Sequence, residues 1–365
     1  MSAVFLSFAI FYALNALYYF VGLLRLNRQK QPTITGSDLP FVSVIIPARN
    51  EAPHMANLLT GLLRQTYPEH HYEIIIVDDF STDNTAAIVQ SYTANANNLR
   101  LVPAPGQASV GGHKKKAILR GIAVARGAII VSSDADCTHS ESWIESFVQC
   151  FQKDTGMIAG IPVFKTRGKL IHYYQALDYG SLAFIAVALI ANKTPIMCSA
   201  ANLAYRRETF DAVGGYGGVQ HFVSGDDDLL LQKIAIDGQW QIKATAQSQN
   251  FVYTEPVDTV RQLLNQRARW GSKGAFYPLK WVRVYLFLVF TTLLSFLVAP
   301  IFVPLNIFLT ILAMKFATDL IMAIFITTML KNIRLWIGFI PVFILQPLVS
   351  VIAAIRGFFG QFKWK

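Results

Sequence analysis

The sequence predicts an α/β fold, a mainly parallel sheet flanked by helices, carried between apolar helices near both ends of the chain. Three observations predict it. Between Phe41 and Ser133, short apolar runs alternate with segments of helical period, the pattern of a parallel sheet covered on both faces. Residues 4–24 form an almost uninterrupted apolar run, which meets the roughly 20 residues that a spanning helix needs. After Arg283 the chain turns apolar again. Composition agrees: 53% of the 365 residues are hydrophobic and the mean hydropathy is +0.39, too apolar for one ordinary soluble domain.

The elements follow in order. For residues 4–24 a cleaved signal peptide fits less well than a spanning helix, since no basic stretch precedes the run and no small-residue cleavage site follows it. Arg25, Arg28 and Lys30 come just after, so the downstream side is expected in the cytoplasm. Residues 1–30 are thus a spanning helix with a basic flank, 31–40 a linker, and 41–280 a cytoplasmic domain. That domain opens with the strand Val42-Ser-Val-Ile-Ile46, and Leu58, Leu59, Leu62 and Leu63 mark one helix face. A second strand is Glu73-Ile-Ile-Ile-Val77. Residues 82–92 read as a helix capped by Ser81 or Thr82, 99–102 as a strand, 115–126 as a helix and 128–132 as a strand. Ligands of such a sheet sit at the carboxyl ends of its strands, and Pro47, Asp79 and Asp134 all fall there.

Residues 143–278 are mixed. Within them, 181–191 is apolar but too short to span a bilayer, which predicts a buried or membrane-surface helix. About three membrane segments are expected within 284–356, at 284–304, 305–330 and 335–355. Lys315 and Asp319 interrupt the second, four apart on one helical face, either paired with each other or marking function. Three crossings would leave the C-terminus outside, whereas Lys331, Arg334, Lys363 and Lys365 favour the inside. Either one segment is re-entrant, with Pro341 and Pro347 as breaks, or the number of segments differs.

The formal net charge is +10. A basic chain can bind nucleic acid, anionic lipid headgroups or a phosphate-rich substrate. Here the cations cluster beside apolar segments, at Arg25, Arg28 and Lys30 and again at Lys273, Lys280 and Arg283, which favours a membrane surface and no nucleic acid. The three cysteines, Cys137, Cys150 and Cys198, match no zinc spacing or disulfide framework, and Cys137 reads as a small buried residue.

The chemistry-bearing residues centre on Asp134-Ala-Asp136, at the end of the strand 128–132. One intervening residue lets both carboxylates reach one hard cation, which can then hold a diphosphate. Three further features stand in order with it: Val77-Asp78-Asp79, Gly225-Asp226-Asp227 and Gln266-Arg-Ala-Arg269-Trp270. Gly111-Gly-His-Lys114-Lys-Lys116 opens a helix, and glycine N–H groups with lysines suit phosphate. A solvated charge run is the plainer reading for at least one of the three lysines. Asp83 reads as a helix cap, and the triple aspartate 226–228 can equally begin a helix. On a helix, Gln266, Arg269 and Trp270 share a face, while an amphipathic helix resting on a membrane would account for Arg267. Together the set points to a nucleotide-sugar enzyme.

These motifs resemble those of glycosyltransferase family 2, within it the membrane-embedded branch of cellulose, chitin and hyaluronan synthases. The resemblance covers about residues 41–278 and the flanking helices. It implies the nucleotide-diphosphate-sugar-binding α/β fold called GT-A, with sugar transfer that inverts the anomeric carbon. By that resemblance Pro47, Ala48, Arg49 and Glu51 line the nucleoside pocket, and Asp79 accepts a hydrogen bond from the uracil imide of a UDP-sugar. Lys114 or Lys115 fills the family's phosphate-side lysine. Asp136, with Asp134, holds Mg2+ or Mn2+, and Asp134 also serves the donor sugar. Asp227 aligns with the catalytic base, and Asp226 replaces the usual glutamate. Arg269 is assigned to the diphosphate, Trp270 to stacking on the acceptor sugar, and Gln266 to a neighbouring hydrogen bond. Ile196-Met-Cys198-Ser-Ala200 stands where the polymer synthases carry Phe-Phe-Cys-Gly-Ser, and only the cysteine matches. Asn202 to Arg207 resembles a structural turn. The implied location is an integral protein of a bacterial inner membrane with the catalytic domain cytoplasmic. The acceptor is a saccharide or other membrane-associated molecule, or alternatively a lipid or polyprenyl phosphate that takes one sugar. The rival from another class is a catalytically silent nucleotide-sugar-binding scaffold, against which the complete motif set argues. A transporter fits less well, with few membrane segments and no repeat relating them.

Overall fold

A computed structural model describes residues 1–27, 39–106, 114–219 and 224–362. Arg28, Lys30, most of the expected linker, Gly111, Gly112, Lys363 and Lys365 lie outside the described residues. The chain divides into two compact units, one of Arg25–Val163 with Leu189–Glu255, the other of Met1–Leu24, Phe164–Ala188 and Pro256–Lys365. Residues 164–188 and 256–280, read from sequence as part of the α/β domain, cluster with the apolar helices.

The first unit is built on β1 (Val42–Ala48), β2 (Tyr72–Asp78), β3 (Leu99–Pro103), β4 (Ile129–Ser132), β5 (Thr155–Ala159), β7 (Leu203–Arg206) and β8 (Gln241–Ala244), in the order β3-β2-β1-β4-β7-β5-β8. A separate pair joins β6 (Pro162–Phe164) to β9 (Val252–Thr254). The β-branched runs of β1 and β2 are buried almost throughout, as befits strands covered on both faces. Strand alternation divides the covering. Val44, Ile46, Ile74 and Ile76 share a core with Met55, Leu58, Leu59 and Leu62 of α2 (Ala52–Leu62) and with Trp143 and Phe147 of α5 (Trp143–Val148). Ile45 and Val77, of the opposite parity, meet α4 (Lys114–Val124). A Cβ at Gly121 of α4 would lie 2.5 Å from Ile45 Cγ2, so only glycine permits this approach. Each leucine of α2 that is fully buried contributes about 1.5–3 kcal/mol of transfer free energy.

The sheet is mixed rather than parallel throughout. β7 runs antiparallel to both β4 and β5, and residues 203–206, expected as part of a turn, form that strand. α3 begins at Thr85 (Thr85–Thr93), three residues later than expected. Neither Ser81 nor Thr82 caps it. Asp83 Oδ1 accepts from Thr85 N at 2.9 Å, while its Oδ2 accepts from Ala52 N at 3.1 Å. One carboxylate thus accepts from the first N–H of both α2 and α3, whose N-cap residues are Glu51 and Asn84, and the bond to the Thr85 hydroxyl is the first of the contacts that hold it below the usual carboxylate range. α7 (Arg207–Ala212) and α8 (Asp228–Asp237) complete this unit.

The second unit contains α1 (Ser2–Asn27, through Leu24), most of α6 (Leu170–Ala191), α9 (Val260–Gly271), α10 (Lys280–Phe302), α11 (Leu305–Met329) and α12 (Phe339–Phe358). Among the described residues, five helices are long and apolar enough to cross a membrane. The length expected for 181–191 is corrected, since α6 has 22 residues, while the expected burial holds, with 72% of its apolar window buried. Its first half was obscured by His172, Gln175 and Asp178, polar residues with partners of their own. His172 Nε2 lies 3.0 Å from Asp258, Gln175 donates to Val257 O at 2.7 Å, and Asp178 pairs with Arg267 at 2.6 Å. The expected breaks at Pro341 and Pro347 are also absent, since α12 runs through both. Lys315 and Asp319 do pair with each other. Tyr12 donates to Asp319 at 2.6 Å, and Lys315 donates to Phe343 O at 2.9 Å.

Candidate active site

The carboxyl ends of β1, β2 and β4 form one edge of the sheet. β1 pairs in parallel with both neighbours, through Ala48↔Asp78 on one side and Ile45↔Ser132 on the other. The chain leaves β1 toward β2 and β3, then returns on the far side as β4. That reversal of strand order opens a crevice at the edge. Pro47 and Ala48 lie there, with Pro47 past the last paired residue of the β4 ladder. Arg49 and Glu51 are part-buried in the turn that follows, and Asp79 is buried.

This edge is held by cross-turn bonds. Asp79 N donates to Ala48 O at 2.8 Å, Glu51 N to Thr85 Oγ1 at 2.9 Å, and Thr82 N to Asn50 Oδ1 at 2.7 Å. Asn50 and Phe80 both sit at positive φ, 55° and 59°. Asparagine tolerates that conformation, whereas for an aromatic residue it is costly and persists only where the surroundings impose it.

β7 brings a second group of residues to the same edge. Because it runs antiparallel to β4, its first residue pairs with the last of β4, Ser132↔Leu203. Residues 198–202 therefore arrive beside the Asp134-Ala-Asp136 turn, where Ser133 Oγ donates to Ala201 O at 2.8 Å and also bonds His139 Nε2. The same segment grips the start of α8. Ala200 N donates to Asp227 Oδ2 at 3.3 Å, and Cys198 N donates to Asp228 Oδ1 at 2.8 Å. Asp227 is the N-cap, its Oδ1 accepting from Asp228 N at 2.7 Å. Asp226 and Asp228 are buried and Asp227 is part-exposed. Gly225, before them, has φ +91°, a conformation glycine adopts without strain.

Lys114 joins these pieces. Its ammonium lies 2.7 Å from Asp134 Oδ1 and 3.0 Å from Asp226 Oδ2. Burial alone would lower its pKa, but the carboxylates of Asp134, Asp226 and Asp227 outweigh burial and hold it above the ordinary lysine range. Lys115, expected as an alternative phosphate lysine, is committed elsewhere. It is buried and donates to Val219 O at 2.9 Å and Ser224 O at 2.8 Å. Asp136 Oδ1 accepts from Thr254 Oγ1 at 3.2 Å, at the last residue of β9. Cys137 is a buried thiol. Burial first, then Asp136 and Asp134, push its pKa well up, so it is no nucleophile.

Among the described residues, no three histidine, cysteine or acidic side chains gather to hold a metal. The donor set at the edge is all oxygen, two carboxylates separated by one residue. That set suits Mg2+ or Mn2+, which take one or two carboxylates and complete their shell with water and substrate phosphate.

Two site features were missed in the sequence. Thr254 ends the three-residue strand β9, which has no motif of its own. Tyr216 is buried, and that burial, with Tyr205, Asp226 and Asp227 near it, keeps its phenol protonated. No motif spacing marks either residue.

Gln266, Arg269 and Trp270 lie on α9, in the other unit. α9 starts with a capping box, Thr259 with Gln262. Arg267 does not face a membrane, as an amphipathic reading of the helix would have it. It is buried against Asp178 and stands 4.5 Å from the Trp270 ring centroid and 5.7 Å from that of Tyr179. Arg269 and Trp270 remain part-exposed.

Residues 43–214, which contain every one of these edge motifs up to β7, match the family model Glycosyl transferase family 2. That segment is a family 2 glycosyltransferase domain. Glycosyltransferase AglE of Haloferax volcanii is 28% identical to the full chain over 242 residues, 65% of this chain and 73% of that protein. A beta-monoglucosyldiacylglycerol synthase of Nostoc sp. is 27% identical over 251 residues, 68% of this chain and 51% of that protein. The glycosyltransferase thus spans about half the length of the second relative. A mannosyltransferase of Pyrobaculum calidifontis, solved with GDP-Man and Mn2+, shares the fold with a TM-score of 0.63 and 18% identity, over 99% of each chain. The GT-A architecture implied by the sequence is therefore the one this chain adopts.

Proposed function

We propose that this glycosyltransferase moves a sugar from a nucleoside-diphosphate sugar, a UDP-sugar in the first instance, to a hydroxyl of a membrane-associated acceptor. The transfer inverts the anomeric carbon and uses Mg2+ or Mn2+. The observation that carries this reading is the gathering of Asp134, Asp226 and Asp227, from distant stretches of chain, around Lys114 at the carboxyl edge of the sheet.

Pro47, Ala48, Arg49, Glu51 and Asp79 receive the nucleoside, and the buried Asp79 offers an acceptor to a base imide. Asp134 and Asp136 would hold a divalent cation, which would supply charge neutralisation to the departing diphosphate. Asp227 deprotonates the acceptor hydroxyl, whose oxygen then attacks the anomeric carbon. Its support is positional. Of the three adjacent aspartates it alone is part-exposed, and N–H groups of Asp228 and Ala200 hold both its oxygens in place. Asp228, the next carboxylate along the chain, is buried as the first residue of α8. By family resemblance, Arg269 serves the diphosphate and Gln266 and Trp270 the acceptor.

A lipid or polyprenyl phosphate that takes one sugar is the second reading for the acceptor. It is favoured by the mismatch of Ile196-Met-Cys198-Ser-Ala200 to the polymer synthases, and by a relative named for a glucosyldiacylglycerol product. Five apolar helices among the described residues and the cation at Arg25 support an integral membrane protein with its catalytic unit in the cytoplasm.

The test is Asp227→Asn in the full chain, assayed with UDP-glucose, UDP-GlcNAc, UDP-galactose and GDP-mannose, with and without Mn2+. Donor binding is expected to persist while transfer falls by about 10²–10⁴-fold, the usual worth of a general base. Retained turnover removes Asp227 from that role. Product size separates the acceptors: a single sugar on an extractable lipid, or a polymer ladder.

A further inference from the structure

We propose that Lys114 is a built-in counter-ion that sets how tightly the Asp134–Asp136 turn takes its divalent cation. The inference rests on the metal reading above.

The geometry is a three-way junction. Lys114 begins α4, Asp134 follows β4, and Asp226 precedes α8, so one ammonium ties together three stretches remote in sequence. The lysine side chain is 20% exposed, and that of Asp226 is 8% exposed. Asp226 Oδ2 is buried and makes no aligned hydrogen bond. It is held by its charge contact with Lys114 at 3.0 Å. A buried carboxylate in that position depends on the cation beside it. Lys115 cannot take over, since its ammonium is buried between the carbonyls of Val219 and Ser224.

Asp134 therefore serves two cations. Its Oδ1 is 2.7 Å from Lys114 Nζ, and the same carboxylate belongs to the pair that would hold Mg2+ or Mn2+. A positive charge at that distance repels a divalent ion seated on the same group, and the partial burial of the junction weakens solvent screening. Removing the charge while keeping a polar donor leaves Asp134, Asp226 and Asp227 as an uncompensated acidic cluster. Such a cluster attracts a divalent cation more strongly. Lys114 thereby keeps cation binding weak enough to be reversible once the diphosphate has left, and keeps the Asp134 turn in register with the start of α8.

The experiment measures Mn2+ binding to the detergent-solubilised full chain by electron paramagnetic resonance, with UDP present, and follows transfer in parallel. Lys114→Gln is expected to bind Mn2+ on the order of tenfold more tightly than the unaltered chain, while its turnover falls. Lys114→Arg keeps the charge and is expected to stay within about twofold in Mn2+ affinity. Asp226→Asn leaves Lys114 to Asp134 alone and is expected to loosen Mn2+ at least about threefold, which tests the same coupling if Lys114→Gln does not fold. Equal or weaker Mn2+ binding by folded Lys114→Gln overturns the inference, as does tightening by Lys114→Arg to the same degree. If Asp226→Asn leaves Mn2+ affinity unaltered, the coupling is overturned too. Loss of Mn2+ binding from every form, the unaltered chain included, overturns the metal reading and this inference with it. Equal binding by all forms overturns this inference alone.

Discussion

Each unit of this glycosyltransferase contains a covered basic side chain in contact with acid, and the two are built on opposite principles. In the second unit, Arg267 meets one aspartate, Asp178, at 2.6 Å, and two aromatic rings lie close to its guanidinium. The charges balance one to one. At the sheet edge, Lys114 meets Asp134 and Asp226 and feels Asp227 as well. Acid is in excess there, and Asp134 is still 38% exposed. A balanced, closed pair leaves no surplus charge for a ligand to neutralise and holds two helices together. A surplus of carboxylate at an open edge is stable only if a further cation can approach. The difference separates scaffold from site without recourse to motif.

The largest expected effect that would break this comparison falls on activity. If the surplus at the edge is functional, Asp227→Asn lowers transfer by about 10²–10⁴-fold with little change in the thermal midpoint, since its neighbours remain paired. A loss of stability matching the loss of transfer would make the edge a scaffold like the other pair. The converse holds for Arg267→Met. Removing one partner of a buried pair costs about 3–5 kcal/mol, and the detergent-solubilised chain is expected to unfold at markedly lower temperature. Adding Asp178→Leu to Arg267→Met is expected to recover most of that loss, because replacing both charges by apolar groups removes the stranded carboxylate. Persistent instability of the double variant would show that Arg267 does more than balance Asp178.

How far each region could be read from sequence follows from the same contrast. β1, β2 and β4 were legible because strands buried on both faces are written as unbroken β-branched runs, and the acids at their ends stand out against that background. α10 to α12 were legible from length and apolarity. β7 was not, since four residues, Leu203–Arg206, carry no period of their own and are a strand only because β4 and β5 flank them. The first half of α6 was hidden because His172, Gln175 and Asp178 look like solvent-facing residues until their partners at 257, 258 and 267 are known. Lys114 and Lys115 were indistinguishable as letters. Successive helical positions point about 100° apart, and that rotation sends one ammonium to the carboxylates and the other to two carbonyls.

A smaller effect sharpens the comparison from the packing side. α9 and α12 approach closely where Gly357 faces Ala268, and a Cβ at Gly357 would come within 2.5 Å of Ala268 O. Gly357→Val is expected to cost about 1–3 kcal/mol, as overpacking does, and to disturb α9 without touching the sheet edge. Mn2+ binding should then be retained while stability drops. Loss of Mn2+ binding in this variant would mean that the two regions are not energetically separable.

The smallest effect concerns pH and a third arrangement, in which base is in excess. Glu73 is buried within β2, its side chain 1% exposed, and takes hydrogen bonds from Ser43 Oγ at 2.7 Å and Arg126 N at 2.6 Å beside the Arg100 and Arg126 guanidinium groups. Burial pushes its pKa up, but these bonds and the two arginines outweigh burial and leave it below the ordinary glutamate value. A carboxylate depressed in the folded state stabilises the fold above its unfolded pKa, and that contribution is lost as pH falls through the folded pKa. Both arginines are substantially exposed, at 40% and 65%, so solvent screens the pair and the gain is modest. Acid unfolding of the unaltered chain should therefore begin below about pH 4.5, near the unperturbed glutamate pKa. Glu73→Gln should show a flatter pH profile there and a lower midpoint at neutral pH. An identical slope in the two forms would assign the acid sensitivity to carboxylates other than Glu73.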